Sequence, residues 1–456
     1  MTRFEWLQKK WITVLLLLCF WPVSGVLAWS EHPLITYPVA SSMPEMLHAQ
    51  PVIVESLESF ISAEEKKLEF LLAEEEEWAG KNLQWYAPLP LSLVFKANGN
   101  RDDARLRFCH AIRINPAVKI PLYFQRLPGE TPEGKSLLPL QAITFLREIS
   151  DWNGIIFDSV NPGDTVRPLD IVVSASDEPD LLGLDIGLFE DNDTDFGKQY
   201  GFGTQPFGNP HLEYGSQAPF HMGFYHEAQI IYAFAGFLKK TYPEYRIHLY
   251  KRLAQLAFQT GHPYWGWRFT GWGLHYLADL TQPYHTTVLP GVCTACAIWI
   301  NTVDMIGFQG PKANAIQLVS NRHAAIEKFV QVILQRAYRE KEKNNPILAA
   351  LQSSGKIPAY KDMIPRDVIA KAAHEKADEL DDELEKYMPK QFVSDPEFEL
   401  GTSAAREQIV EKIKMEKGQA AVDKLISDVS ELLVPFATYG QSYIYSILHN
   451  GTETEK

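Results

Sequence analysis

Residues 271–287 read GWGLHYLADLTQPYHTT and bring His275, Asp279 and His285 close together in the chain. On an α-helix, residues four apart share one face, so His275 and Asp279 can present an imidazole and a carboxylate to a common point. Pro283 lacks an N–H and clashes with the turn before it, so it is expected to end or kink that helix and turn His285 in a new direction. Metal ions are often held by nitrogen and oxygen donors delivered in this way. The same spacing also suits a buried helix whose His and Asp hydrogen-bond each other, so further donors must decide. "NRHAAIEKF" supplies His323 and Glu327, again four apart on a strongly helical segment.

A last source of donors depends on processing. Arg3, Lys9 and Lys10 precede the apolar run WITVLLLLCFW, and PVSGVLA then sets Val26 and Ala28 at the two positions a signal peptidase reads. Cleavage after Ala28 is expected, releasing a periplasmic or secreted protein. The apolar run is shorter than the roughly 20 residues of a spanning helix. The mature chain then begins WSEHPLITYPV. A free α-amino group and its own carbonyl oxygen can chelate zinc in a five-membered ring, the neutral amine being the ligand, so Trp29 joins His32 as a candidate.

An N-terminal Trp exposed by processing, a nearby His, H-x-x-x-D-x-x-x-x-x-H and a later H-x-x-x-[ED] together resemble the ligand set of the zinc-dependent phospholipase C and single-strand nuclease superfamily. "LHYLADLTQPYH" carries the likeness most closely, and the chain looks most like the larger bacterial zinc metallophospholipases C. The resemblance rests on the N-terminal tip and residues 221–327. It implies a mainly α fold, a multi-helix zinc-cluster core, and about three zinc ions per chain. Asp279 would bridge two of them, one completed by His275 with an upstream Asp and His, the other by Trp29 and His32. His285, His323 and Glu327 would hold the third. For the upstream pair the candidates are Asp177, Asp180 or Asp185 with His221 or His226, of which Asp180 and His221 are favoured, and His48 stands in reserve for His32.

The implied activity is hydrolysis of the glycerol-side phosphodiester of a phospholipid, giving diacylglycerol and a phosphorylated headgroup. Hydroxide held on zinc would be the nucleophile, with Asp279 bridging and Asp180 a proton acceptor. The partner would be phospholipid at a membrane surface. Single-stranded nucleic acid is the alternative substrate, and a non-catalytic zinc-binding envelope protein the alternative of another class.

The elements that must position these residues are mainly helical. A hydrophobic content of 46% excludes wholesale disorder. Removal of residues 1–28, with three basic residues and one acidic, takes the formal charge from −14 to −16, which disfavours a nonspecific nucleic-acid binder. Helical periodicity runs through Val52 to Trp78, residues 228–240, 249–261, 313–339 and 403–449. Glu74 to Glu77 read as a solvated helix end. Residues 84–185, rich in Pro, Gly and Asp, read as an irregular insertion in which IPLYF, GIIFD and DIVVSA are strands or buried turns. The chain thus divides into a signal peptide at 1–28, a catalytic part at 29–345, and a helical part at 346–456 that can be continuous with it. Cys293 and Cys296 suit a local disulfide outside the cell, leaving Cys109 as an odd thiol. Tyr264, Trp265, Trp267, Phe269 and Trp272 can line a choline or acyl pocket, meet a membrane interface, or pack in the core. His110, His211, His248, His262, His374 and His449 have no partner spacing and read as ordinary surface or core residues.

Overall fold

The computed structural model describes residue 29 and residues 31–132, 136–352 and 355–449. The expected signal peptide and its cleavage signal lie outside the described residues. The elements that build the site are α1 (Pro33–Ser41), α2 (Leu57–Asn82), α3 (Pro168–Ala175), α4 (Glu178–Leu181), α5 (Ala218–His221), α6 (Gln229–Phe234), α7 (Pro243–Gln259), α8 (Pro263–Asp279), α9 (Pro283–Thr286), α10 (Thr294–Met305), α11 (Gly310–Glu340), α12 (Ala377–Tyr387) and α13 (Gln419–Leu448). Two short antiparallel ribbons complete the set, β1 (Val52–Ile53) with β4 (Thr165–Val166), and β2 (Tyr123–Gln125) with β3 (Phe157–Ser159). The protein is mainly helical.

Helix α8 is the axis of the molecule. Every residue from Tyr264 to Asp279 is buried, so the helix is covered on every side and its polar residues, Arg268, His275 and Asp279, must find partners inside the protein. Pro263 starts it, where a missing N–H costs nothing. Helix α7 runs into it through a tight turn in which Gly261 takes φ +84°, a left-handed value that suits glycine. Two glycines let other helices come close. A Cβ on Gly271 would lie 2.6 Å from Val172 O and the Ala175 Cβ, where α3 crosses, and one on Gly273 would collide with the Tyr443 ring of α13. Residues from Trp29 to Ile447 share one continuous apolar core, so α13 packs with the helices that carry the candidate ligands.

DIVVSA is not a strand but most of α3. A short apolar run buried on all sides carries no period that separates helix from strand, and Pro168 at the first helical position tips it to helix. IPLYF and GIIFD do contribute β2 and β3. The glutamate run is not a merely solvated end: it lies inside α2, and Glu75 is buried against His248. His262 likewise pairs with Glu55 at 2.8 Å. Tyr264, Trp265, Trp267, Phe269 and Trp272 are all buried in the core and offer no surface to a lipid or a base. Cys293 and Cys296 form a disulfide, and the Cys109 thiol is buried, burial pushing its pKa up to about 12.

Candidate metal centre

The loop between α3 and α5 is pinned to α8 by an ion pair that the sequence does not advertise. Arg268 donates to both oxygens of Glu178 at 2.8 and 2.9 Å, and the Trp272 indole N–H donates to the same carboxylate at 2.6 Å. A buried guanidinium and carboxylate matched in this way hold both partners in one geometry. Glu178 therefore carries its neighbours Asp177 and Asp180 to the C-terminal half of α8.

Asp180 lies 3.7 Å from His221 Nδ1 and 3.8 Å from His275 Nε2, and Gln217 donates to it at 2.7 Å. His221 Nδ1 is 2.9 Å from Asp279 Oδ2, and His275 Nε2 is 3.5 Å from the same oxygen. The other oxygen of Asp279 lies 3.2 Å from His32 Nε2. Beyond the Pro283 turn, His285 Nε2 lies 3.9 Å from Glu327, and His323 Nε2 lies 2.6 Å from the same carboxylate. Three groups of donors result, all buried: His32, His275 and Asp279; Asp180, His221 and His275; His285, His323 and Glu327. The two carboxylate oxygens of Asp279 face different groups.

Each group could hold a metal ion, with His275 Nε2, shared by the first two, serving one of them at a time. Four donors at roughly 2.0–2.1 Å from a tetrahedral zinc stand about 3.3 Å apart, and the separations within the first two groups scatter around that value. His221 Nδ1 and His275 Nε2 are 3.2 Å apart, a distance at which two lone pairs repel unless a proton or a cation lies between. Buried donors also lack hydrogen-bond partners: Asp279 Oδ1, His285 Nε2, His323 Nε2 and both oxygens of Glu327. Such atoms cost free energy unless a cation meets them. The set contains nitrogen and oxygen without sulfur, which is compatible with zinc and does not by itself single it out.

Neighbouring groups orient the donors. His275 Nδ1 lies 2.8 Å from the Ser176 carbonyl and His285 Nδ1 lies 3.0 Å from that of His221, so each donates there and turns a bare Nε2 toward the centre. His221 Nε2 faces Asp185 Oδ2 at 3.3 Å, and Asp185 is itself held by Arg246 and the Tyr276 hydroxyl. Asp177 accepts from the His32 backbone N–H at 3.2 Å and from Trp152 at 2.8 Å. Asp177 and Asp185 thus lie outside the three groups and steady their members. His226 meets the Arg366 carbonyl and His48 is exposed, so both lie apart from the centre. Trp29 is buried beside it, its indole N–H donating to Thr281 Oγ1 at 3.0 Å, two residues beyond Asp279.

Burial opposes the charge on Asp279, yet His275, His221 and His32 around it hold its carboxyl well below the usual carboxylate range. Burial also works against a charged His221, but Asp185, Asp279 and Asp180 raise its pKa to about 10. Burial drives His285 and His323 down to about 3 and pushes Glu327 well up. Without a cation, protons must balance the crowded carboxylates of the first two groups, and cations are the natural replacement.

No protein-family model, curated protein or solved structure matches the chain. Among the described residues no helix is long and apolar enough to cross a membrane.

Proposed function

We propose that the chain is an exported, zinc-dependent phosphodiester hydrolase of the phospholipase C type, with about three zinc ions and phospholipid as substrate. The observation that carries this reading is Asp279, whose two oxygens face two different groups of buried donors while a third group stands beyond the α9 turn. Bound zinc ions would supply an activated water at neutral pH and neutralise charge on the phosphoryl oxygens and leaving group. Asp279, His32, His221, His275, His285, His323, Glu327 and Asp180 would hold them, with the Trp29 amine and carbonyl completing the set after cleavage at Ala28. Asp180, beside His221 and His275, would accept a proton from the attacking water. Ser176, Asp185 and the His221 carbonyl hold the imidazole rings, so little reorganisation is needed when substrate arrives.

Phospholipid is favoured over single-stranded nucleic acid because the chain is acidic and so repels a polyanionic backbone. The test gives one zinc-loaded preparation both phospholipid vesicles, assayed for diacylglycerol, and single-stranded DNA, assayed for cleavage. Diacylglycerol release is expected. DNA cleavage without it would identify a nuclease, and zinc binding with neither activity a non-catalytic envelope protein.

A further inference from the structure

A cavity of about 380 Å³ opens between α6, α10 and the segment Thr287–Leu289, which begins two residues beyond His285. That volume lies in the range of small-molecule sites, roughly 300–1,000 Å³. Its walls are mainly apolar, with Ile231, Phe234, Phe237, Val288, Ile298 and Met305 among them. The ionisable side chains that reach it are turned to partners within the protein. Glu227 accepts from the Val288 N–H at 2.7 Å, Asp378 accepts from the Gly291 N–H at 2.9 Å, Lys312 donates to Asp304 at 2.9 Å, and His374 Nδ1 lies 2.8 Å from Thr287 Oγ1. A hydrocarbon leaves these bonds intact.

Two of the segments that line the cavity are depleted of charge. Residues 228–238 carry no charged side chain, and residues 289–311 carry only Asp304, which Lys312 neutralises, in a chain of which 22% is charged. Phe234, which lines the cavity, and Trp299, Ile306 and Phe308, which follow the lining residues Ile298 and Met305 in the chain, are exposed by 54, 57, 70 and 68%. Large apolar side chains are rarely left in water together unless they meet something apolar, and Trp favours the headgroup level of a bilayer. The Cys293–Cys296 disulfide ties the first turn of α10, which bears part of this rim.

We infer that the cavity takes one acyl chain of the phospholipid substrate while the exposed rim rests on the lipid surface. This assignment rests on the phospholipase reading for the identity of the lipid. It gives α9 a double task, since the turn that carries His285 runs directly into the wall that grips the chain. Headgroup and tail are then bound by adjoining stretches of one loop.

The test uses the mature, zinc-loaded protein and a fluorescent long-chain fatty acid as probe. Saturable binding of one probe per chain is expected, displaced by monomeric dihexanoyl-phosphatidylcholine far better than by the dibutyryl compound. Phe234→Asp, at a half-exposed position, and Ala235→Trp, which fills the cavity, should each weaken probe binding at least about tenfold, or roughly 1.4 kcal/mol. Zinc content and melting temperature should not change. The KM for dihexanoyl-phosphatidylcholine should rise by a similar factor, while hydrolysis of p-nitrophenylphosphorylcholine, which has no acyl chain, stays constant. Absence of probe binding to the unmodified protein, or binding untouched by both variants, would overturn the acyl site even if phospholipid is hydrolysed. Probe binding that the variants abolish, in a protein that hydrolyses no phospholipid, would support the acyl site and remove the phospholipase reading instead.

Discussion

His32 Nε2 lies 3.2 Å from Asp279 Oδ1, so the beginning of the expected mature chain and the last residue of α8 meet in one buried contact. Three anchors enforce it: the Trp29 indole on Thr281, the His32 backbone N–H on Asp177, and the stacked rings of His32 and His275 with centroids 3.9 Å apart. Metal binding at this point would therefore tie the N-terminal segment to the central helix.

Asp279→Asn should lower zinc affinity by more than about 100-fold, since changes one layer further from a metal already cost about 10–100-fold. His262→Ala, at a part-buried residue paired with Glu55 outside the centre, should leave zinc content unchanged. Metal analysis of both purified variants decides the matter. Equal loss, or none in either, would sink the centre as drawn.

An extra residue placed before Trp29 should remove about one zinc ion per chain and most of the activity, because an amide nitrogen is a far poorer ligand than a free amine. The comparison is with protein whose sequencing confirms Trp29 as the first residue. Full zinc content and full activity in the extended form would exclude the N-terminal ligand.

Asp185→Asn should act through its neighbours. Asp185 neutralises buried Arg246 and steadies His221, so the zinc-free protein should lose roughly 3–5 kcal/mol, as expected when one partner of a buried pair is removed. Zinc affinity should also fall, by about 10–100-fold. Denaturant melts with and without zinc separate the two effects. An unchanged melt of the zinc-free form would contradict the buried pair.

His248 supplies a pH dependence remote from the metal centre. It lies between Glu75 at 2.7 Å and Asp362 at 3.6 Å, stacks on Trp78, and has Lys251 nearby. Burial disfavours its charge and Lys251 adds to that, but Glu75 and Asp362 outweigh both and raise its pKa above the ordinary 6.5. A folded-state pKa raised above the unfolded one stabilises fully below pH 6.5, and the contribution is lost as pH rises through the higher folded value. His248→Gln should therefore destabilise most in mildly acidic solution and progressively less toward alkaline pH. Melting temperatures of both proteins across that range provide the check, and a difference independent of pH would refute the charged imidazole.

The local parts of the centre were legible in the sequence because helical geometry acts over a single turn. His275 with Asp279 and His323 with Glu327 share a helix face whatever else the chain does, and Pro283 separates His285 from the helix before it. Packing over long separations was not legible. Asp180 was favoured over Asp177 and Asp185 by resemblance alone, and the Glu178–Arg268 pair and Arg246 are what set Asp180 beside His221 and His275 and leave the other two to steady its neighbours. DIVVSA became a helix and the aromatic residues of α8 became core for the same reason. A run buried on every side has no polar face to reveal its period, so its form is decided by the α3, α7 and α13 surfaces that close around α8.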